Sequence, residues 1–237
     1  MEPALLIRRL VDRAAQCYRR AGRFAWHFAR GKLGGDPVFA ALLARGLIPD
    51  QARILDLGCG QGLLAAWLEA SAACHRAGEW CTEWPPPPQR WRYRGIDRMP
   101  PDVARARAAL GERAQFHVGD FRAVEFGMED TVVLLDVLHY LDIADQEAVL
   151  RRVRSALSQG GVLLLRISHA DGGLPFRFSN WVDQVVLLCR GRGWVRLHCR
   201  PVQAWISLLA GIGFQTERIP MSAHTPFANV LLVARPG

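Results

Sequence analysis

The chain has 237 residues, 50% of them hydrophobic, and a formal net charge of +8 at neutral pH. A chain of this length and hydrophobic content can bury one sizeable core. No uncharged run approaches the roughly 18–20 residues that would span a bilayer, which excludes a membrane-spanning helix. The basic residues are almost all arginine, so the charge favours acidic partners, but it does not choose among nucleic acid, anionic lipid and an acidic carrier protein.

Six cysteines are spread along the chain without a C-x-x-C pair. Arginines interrupt the first apolar stretch and no small-residue cleavage pattern follows, so we expect a cytoplasmic protein with reduced thiols. Cys74, His75 and Cys81 match no zinc finger or ribbon spacing, and a fourth ligand is not evident. We therefore expect no metal site.

The first predicted element is a helix over residues 4–30, because apolar residues recur there at helical spacing. Its other face is basic: residues 1–35 hold eight basic side chains against Glu2 and Asp12, which places +6 of the net charge there. A glycine–proline break at 34–37 separates it from a short second helix over 37–46.

Three interpretations of the basic helix stay open. It could cap the fold with a solvated arginine face, contact the anionic inner surface of a membrane, or dock an acidic carrier protein that delivers a tethered acyl chain. Nucleic acid is disfavoured, because no added RNA-binding module is present and basic charge alone is nonspecific.

From residue 53 the pattern alternates between short apolar strands and helices. Such strands are buried on both faces, as in a parallel sheet covered by helices. The predicted strands are 53–57, 93–97, 114–118, 131–136 and 162–167, the predicted helices are 61–73, 101–111 and 143–157, and the chain closes with a helix at 201–212 and a hairpin of strands at 214–219 and 229–234.

Two segments interrupt this alternation. Residues 74–92 are an insertion rich in proline and tryptophan, which we expect to loop out without disturbing its neighbours. Residues 168–200 form a long connection after the fifth strand. Loops of this length are uncommon unless they are functional or disordered.

The stretch Asp56-Leu-Gly-Cys-Gly-Gln-Gly62 lies between the first strand and the first helix of the alternation. A dinucleotide site would need Gly-x-Gly-x-x-Gly, and the position of its third glycine is occupied by Leu63. A phosphate loop would need Gly-Lys-Ser/Thr, but Lys32 is the only lysine of the chain. Both phosphate-binding interpretations lose support, and a tight turn without a ligand remains the alternative.

Asp-x-Gly-x-Gly-x-Gly at the end of a first strand resembles motif I of class I methyltransferases, which use S-adenosylmethionine. Glycines let the backbone approach a ligand closely, and the ligand has a sulfonium, an amino-acid tail and no phosphate. The resemblance implies that Asp56 suits the ligand's ammonium group, while amides near Gly60 and Gly62 suit its carboxylate.

Further motifs follow in the order of that family. Asp97 ends the second strand, where the family holds the ribose hydroxyls; it lies 41 residues after Asp56, and the insertion at 74–92 accounts for the excess over about 20. Asp120 follows the third strand near the expected adenine, with Phe121 as a stacking candidate, and Asp136 ends the fourth. The implied cofactor-binding residues are Asp56, Gly58, Cys59, Gly60, Gly62, Asp97, Arg98, Asp120, Phe121 and Asp136.

The resemblance implies an α/β, Rossmann-like seven-stranded sheet with an antiparallel C-terminal hairpin and an N-terminal helical cap. We predict a basic cap over residues 1–50 and a methyltransferase domain over 51–237. The domain contains the insertion 74–92 and, in segment 168–200, a lid over the acceptor.

Methyl transfer is an in-line displacement, so the enzyme need only align the acceptor and sometimes remove a proton. Candidates lie after strands four and five: His139, Tyr140 and His169, for each of which a purely structural role stays open. Apolar residues of 168–200 favour an aromatic, polyketide-like or lipid-like acceptor. Residues 28–39 are similar to methyltransferases of aryl-polyene pigment biosynthesis, which agrees with this class. A nucleic-acid methyltransferase and an inactive cofactor-binding partner remain as alternatives.

Overall fold

In the computed structural model, three helices precede the first strand. They are α1 (Pro3–Gln16), α2 (Arg23–Gly35) and α3 (Pro37–Ala44), and a 3-10 segment, Cys17–Ala21, joins the first two. The structure describes residues 1–168, 197–221 and 229–237, which divide into two compact units, residues 1–125 and 126–237.

The single helix predicted over 4–30 is wrong, because the chain breaks at Gly22. This residue has a φ of +103°, which a continuing helix cannot accommodate and which glycine adopts without a Cβ penalty. The break predicted at 34–37 is confirmed. There Asp36 caps α3 by accepting a hydrogen bond from the backbone N–H of Val38 at 3.1 Å.

The first unit continues as three parallel strands with a helix after each of the first two. The strands are β1 (Ala52–Leu57), β2 (Trp91–Asp97) and β3 (Gln115–Val118), and the helices are α4 (Leu63–Arg76) and α5 (Pro100–Leu110). Helix α4 is buried along most of its length, and the indole N–H of its Trp67 donates to the carbonyl of Phe39 at 2.8 Å. This bond ties α3 to the core.

The insertion at 74–92 begins as the last turn of α4 and continues as a loop. The loop folds on itself: the Trp80 indole N–H donates to the carbonyl of Pro85 at 3.1 Å, and the Trp80 ring meets that of Trp84 edge-on. Cys81 is fully buried. The pairing of β1 with β2 is regular from Ala52 to Leu57. The expectation that the insertion leaves its neighbours undisturbed stays a prediction.

The second unit contains the remaining strands. They are β4 (Glu129–Leu135), β5 (Leu157–Ser168), β6 (Phe214–Pro220) and β7 (Asn229–Pro236), with α6 (Ile143–Ala156) between β4 and β5 and α7 (Val202–Gly211) before β6. Strand β5 begins five residues earlier than predicted. Residues 158–161 bulge between the pairs Glu129–Leu157 and Thr131–Val162, and periodicity does not reveal such an irregularity.

The seven strands form one mixed sheet in the order β3-β2-β1-β4-β5-β7-β6. Strand β7 is antiparallel to both β5 and β6, and the other pairs that the structure describes are parallel. The predicted α/β sheet with antiparallel C-terminal strands and N-terminal helices is therefore confirmed. The division into a cap over 1–50 and a domain over 51–237 stays a prediction. Across the described ranges, no helix combines the length and the apolar character needed to cross a membrane.

Candidate active site

A tight glycine loop connects β1 to α4. Its three glycines all have positive φ angles: +84° at Gly58, +53° at Gly60 and +73° at Gly62. The backbone N–H groups of Gly58 and Cys59 both donate to the carbonyl of Ile96, at 2.7 and 3.2 Å. The loop is therefore fixed against the end of β2 in a conformation that favours glycine.

Two of these glycines serve different purposes. A Cβ at Gly62 would lie 2.7 Å from the ring of Phe116, so this glycine is required for packing of the protein on itself. A Cβ at Gly60 would meet nothing within 4 Å. Gly60 therefore borders open space, as a backbone that approaches a ligand would.

Asp97 is held beside this open space. One carboxylate oxygen accepts the N–H of Gly60 and the other accepts the N–H of Met99, each at 2.8 Å. A carboxylate has about four acceptor positions, so two remain for hydroxyl groups of a ligand. The structure thus brings together Gly60 and Asp97, two of the residues predicted for the site.

Asp56 is buried and accepts a short hydrogen bond from the hydroxyl of Tyr93. Burial raises the pKa of Asp56 to about 7; the Tyr93 hydrogen bond opposes this rise and the nearby charge of Asp97 adds to it. The structure therefore places Asp56 in the core behind the loop. Its predicted contact with an ammonium group stays a prediction.

Cys59 is also buried, and burial raises the pKa of its thiol well above the usual value. A Cβ on Gly95 would lie 2.7 Å from the Cys59 sulfur, so the loop packs directly on β2 at that glycine. Sequence reasoning missed Gly95. A glycine inside a short strand was the available signal, because it marks a close approach of other atoms to the backbone.

Asp120 lies after β3 and is held by arginine. The guanidinium of Arg122 forms a two-pronged contact with its carboxylate at 2.6 and 3.0 Å, and the Arg98 side chain lies 3.7 Å away. The Arg122 hydrogen bond is the largest of the contacts that lower the pKa of Asp120. Phe121 is buried. Arg122 was not among the predicted site residues.

A row of polar contacts joins the N-terminal helices to the glycine loop. The hydroxyl of the fully buried Tyr18 donates to the carbonyl of Gln61 at 2.8 Å. The Gln61 amide in turn donates to Asp102 on α5 at 3.3 Å. Sequence reasoning treated Tyr18 as one apolar position of a helix, and no local pattern indicates that its hydroxyl reaches residue 61.

In the second unit, Asp136 follows β4 with a φ of +58°, which is uncommon for a residue with a side chain. Its carboxylate pairs with the guanidinium of the buried Arg166 on β5, and the Arg166 Nε lies 2.8 Å from one carboxylate oxygen. This pairing accounts for the orientation of Asp136. Its predicted role toward a cofactor stays a prediction.

His139 and Tyr140 lie just beyond Asp136, with ring centres 4.2 Å apart. Burial lowers the pKa of His139 to about 4, against a smaller opposing effect of Asp136. The imidazole is therefore neutral at physiological pH, the form able to accept a proton. The third candidate, His169, lies outside the described residues, as does most of the predicted lid.

The buried Gln146 fixes the segment that carries His139. Its amide nitrogen donates to the carbonyls of Leu138, Leu141 and His198 at 2.7 to 3.2 Å. Its amide oxygen accepts the Nε–H of Arg200 at 2.9 Å. One side chain thus joins α6, the His139 turn and the chain that leads into α7.

The comparisons with known proteins agree with this geometry. A family described as a methyltransferase domain matches residues 25–218. A carboxy-S-adenosyl-L-methionine synthase of Chromohalobacter salexigens is 35% identical over 119 residues, which make up 48% of this chain and 39% of that protein. The chain spans less than half the length of the curated relatives it matches.

Solved structures share the fold at low sequence identity. The pyocyanin biosynthetic protein PhzM is 20% identical with a TM-score of 0.62, over 94% of this chain and 61% of that one. Magnesium protoporphyrin IX methyltransferase from Synechocystis PCC 6803, solved with bound SAH, is 18% identical with a TM-score of 0.58, over 99% of this chain and 100% of that one.

Proposed function

We propose that this chain, which belongs to the methyltransferase-domain family, transfers a methyl group from S-adenosylmethionine to a small aromatic, polyketide-like or lipid-like acceptor. Membership of the family supports the cofactor and the reaction type. The acceptor class, the site residues and the partners are the content of the proposal.

The glycine loop and Asp97 fit the cofactor. Open space at Gly60 admits a ligand beside the backbone, and Asp97 keeps acceptor positions that suit the hydroxyls of a ribose. The loop carries no basic side chain, in agreement with a ligand that has no phosphate. When bound, S-adenosylmethionine supplies an activated methyl group. Gly58, Gly60 and Asp97 would hold it in place.

An exposed phenylalanine that is linked to the loop by a series of contacts supports an aromatic acceptor. Phe24 on α2 is 62% exposed and stacks on Phe28 with ring centres 6.1 Å apart. The Arg105 guanidinium lies 4.9 Å from the Phe24 ring centre and contacts Asp102 at 2.9 Å. Asp102 also binds Gln61 of the glycine loop, so a continuous row of contacts joins the loop to Phe24. This aromatic surface is the observation that carries the acceptor proposal.

The chain's own task is to align the acceptor and, where the acceptor is protonated, to take its proton. His139 is buried and neutral, and Gln146 fixes the segment that carries it. Because its pKa is lowered to about 4, it is a weak base, and it stays a candidate to accept a proton only from an acceptor group made acidic by the reaction. Tyr140 and His169 remain candidates for the same role. We expect a cytoplasmic enzyme that takes a free or carrier-bound acceptor. The resemblance of residues 28–39 to aryl-polyene methyltransferases stays a prediction.

Calorimetric titration with S-adenosylhomocysteine tests the site. We expect saturable one-site binding by the wild-type protein and its loss in Gly60→Arg. Gly78→Arg is the control, because Gly78 also has a positive φ of +72° and open space around it but lies outside the loop. Equal binding by all three proteins would place the cofactor elsewhere.

A turnover assay with methyl-labelled cofactor tests the acceptor class, using a panel of phenols, aromatic amines, fatty acids and RNA. We expect labelling of phenols, with Phe24→Ala raising KM by about tenfold, the loss of one desolvated aromatic contact. Leu5→Ala, which truncates another exposed apolar side chain, is the control. Labelling of RNA alone, or unchanged kinetics in Phe24→Ala, would contradict the proposal. Cofactor binding without turnover of any acceptor would favour an inactive partner protein.

The match to carboxy-S-adenosyl-L-methionine synthase favours a second candidate, in which the enzyme modifies the cofactor itself. Mass spectrometry of the reaction mixture after incubation with S-adenosylmethionine, the acceptor panel and a carboxylate donor distinguishes the two. A heavier, carboxylated cofactor would establish the second candidate, and S-adenosylhomocysteine with methylated acceptor would establish the first.

A further inference from the structure

An open groove of about 780 Å³ lies along α1 and the 3-10 segment Cys17–Ala21, and none of the described residues that line it belongs to the glycine loop. Helix α1 forms one wall, and the end of α4 with the residues just after it closes the other side. Five arginines line it: Arg9, Arg13, Arg19, Arg20 and Arg113. We call it the arginine groove.

Most of this positive charge is not neutralised. Within the described structure, the two acidic side chains of the groove are engaged: Glu79 pairs with Arg9 at 2.6 Å, and Asp12 pairs with Arg30 at 3.2 Å. The other four arginines have no carboxylate partner among the residues that the structure describes. Arg13 donates to the sulfur of Cys74 at 3.8 Å, and Arg19 lies over the ring of Trp26, so four positive charges remain available to a ligand.

Two of these arginines come from different parts of the chain: Arg20 lies in the 3-10 segment and Arg113 follows α5, and both line the groove beside Cys17. Arg20 and Arg113 also line a second cavity of about 460 Å³ that lies along the end of α5. Cations from two different elements thus converge on one stretch of surface.

The basic residues of the groove form a row. Arg9 and Arg13 are four residues apart on α1, about 6 Å along its axis at a rise of about 1.5 Å per residue, and Arg20 follows seven residues later in the 3-10 segment. A helix with carboxylates four residues apart repeats the Arg9–Arg13 spacing. The row therefore complements an acidic helix.

The other residues that line the groove help to distinguish an acidic helix from nucleic acid and from an anionic membrane surface. Among the residues that the structure describes, the lining of the groove includes no aromatic and no large aliphatic side chain. Binding of single-stranded nucleic acid uses aromatic side chains on which bases stack, and membrane binding by a basic helix uses apolar side chains that enter the bilayer. Neither is available there.

We propose that the arginine groove is a docking site for an acidic helical segment of a partner protein. It is separate from the cofactor site, so it stands independently of the acceptor proposal. Charge complementarity across such a surface chiefly raises the rate and selectivity of association and makes both salt-dependent.

Fluorescence anisotropy with a synthetic peptide tests this. The probe is an alanine-based helix of about 18 residues with glutamates at every fourth position, and its control has the same composition in scrambled order. We expect the ordered peptide to bind, the scrambled one to bind at least about fivefold more weakly, and added salt to weaken both. The Arg20→Gln/Arg113→Gln double variant should weaken binding of the ordered peptide by about tenfold.

The matched control is the Arg8→Gln/Arg23→Gln double variant. It removes the same charge from exposed arginines that do not line the groove. Equal loss of affinity in the two double variants would overturn the proposal, as would equal binding of the two peptides. Tighter binding of phosphatidylglycerol vesicles or of duplex RNA than of the ordered peptide would also overturn it. Unchanged unfolding midpoints and S-adenosylhomocysteine affinity in both double variants would establish that the fold and the cofactor site are intact.

Discussion

At the residue scale, the glycines of the loop meet two different requirements, close packing against the protein and close approach of a ligand. The sequence pattern alone does not show which glycine meets which requirement. All three glycines have positive φ, yet only Gly62 is enclosed by protein atoms and Gly60 faces open space. The motif could be recognised from the sequence because it is local. The Phe116 ring that encloses Gly62 comes from β3, more than fifty residues later, and so could not be predicted.

This difference predicts opposite effects of two alanine substitutions. Gly62→Ala should lower the free energy of unfolding by about 2–4 kcal/mol, because its Cβ would overlap Phe116 and its backbone is left-handed. Gly60→Ala should cost about 1 kcal/mol of stability but weaken S-adenosylhomocysteine binding at least tenfold. Urea denaturation and calorimetry measure the two quantities. Equal stability losses would contradict this assignment.

Asp97 allows a more specific test of the proposed cofactor site than the glycines do, because each of its carboxylate oxygens accepts a different backbone N–H. In Asp97→Asn one N–H group would face an amide that is itself a donor. We expect the Kd for S-adenosylhomocysteine to rise by about 10–100-fold, in line with the loss of a hydrogen bond to a charged group. Asp50→Asn is the control. One oxygen of Asp50 accepts both of its N–H bonds, so asparagine can replace it, and binding should not change.

The pKa values of His139 and Asp56 predict opposing effects of pH on stability. The unfolded chain protonates His139 below about pH 6.5 but the folded protein only near pH 4, so stability falls by about 3 kcal/mol as the pH drops through this interval. Folded Asp56 keeps its proton up to about pH 7, whereas the unfolded chain loses it near pH 3.8. Its contribution therefore falls by about 4 kcal/mol as the pH rises from 4 to 7.

Single variants should separate these two effects. Relative to wild type, the unfolding free energy of His139→Gln should decline as the pH rises from 4 to 6.5, and that of Asp56→Asn should increase from 4 to 7. Chemical denaturation at several pH values measures both slopes. Slopes of the same sign in the two variants would show that one of the groups is not buried as described.

At the element scale, helix and strand positions followed from periodicity, whereas the joins between elements did not. The predicted strands and most of the helices are confirmed within a few residues, because each is a local pattern of apolar side chains. Gly22, where the predicted first helix breaks, is an ordinary glycine in a helical pattern. Its effect depends on the 3-10 segment Cys17–Ala21, which brings the Tyr18 hydroxyl to the carbonyl of Gln61 in the glycine loop.

The contact of that segment with the loop predicts a coupling between them. Tyr18→Phe leaves the carbonyl of Gln61 buried without its donor, so the free energy of unfolding should fall by about 1–2 kcal/mol. Because the loop is then less well fixed, S-adenosylhomocysteine binding should weaken a few-fold. Thermal denaturation and calorimetry check this. Tyr93→Phe is the comparison, since it removes a buried hydroxyl from Asp56 rather than from the loop. Stability loss without any change in affinity for Tyr18→Phe would show that the bond supports only the helix.

At the scale of the whole molecule, alternation of strands and helices predicted the parallel strands, and the family resemblance added the antiparallel C-terminal hairpin. The position of β7 between β5 and β6 was not predicted. Charge is unevenly distributed as well: the first 35 residues carry +6 of the total +8. Composition revealed this excess. That the arginines line a groove depends on Arg113, which tertiary structure brings to the helix.

Ligand binding should be visible in the stability of the whole protein. Free S-adenosylhomocysteine at 100 times its Kd should raise the free energy of unfolding by about 2.7 kcal/mol, because it binds the folded state alone. Hydrogen exchange should slow most in the glycine loop and around Asp97. Gly60→Arg should show neither effect, and protection confined to residues 126–237 would place the ligand outside the proposed site.

The bond between Tyr18 and Gln61 also imposes an order in time. During synthesis, Tyr18 leaves the ribosome 43 residues before the carbonyl that it binds. The N-terminal helices can form early, but this buried hydroxyl has no native acceptor until β1 and the glycine loop have emerged. The N-terminal region, which carries most of the net positive charge, therefore reaches its final packing only after the loop has been synthesised. That region and the loop proposed to hold the cofactor are completed together.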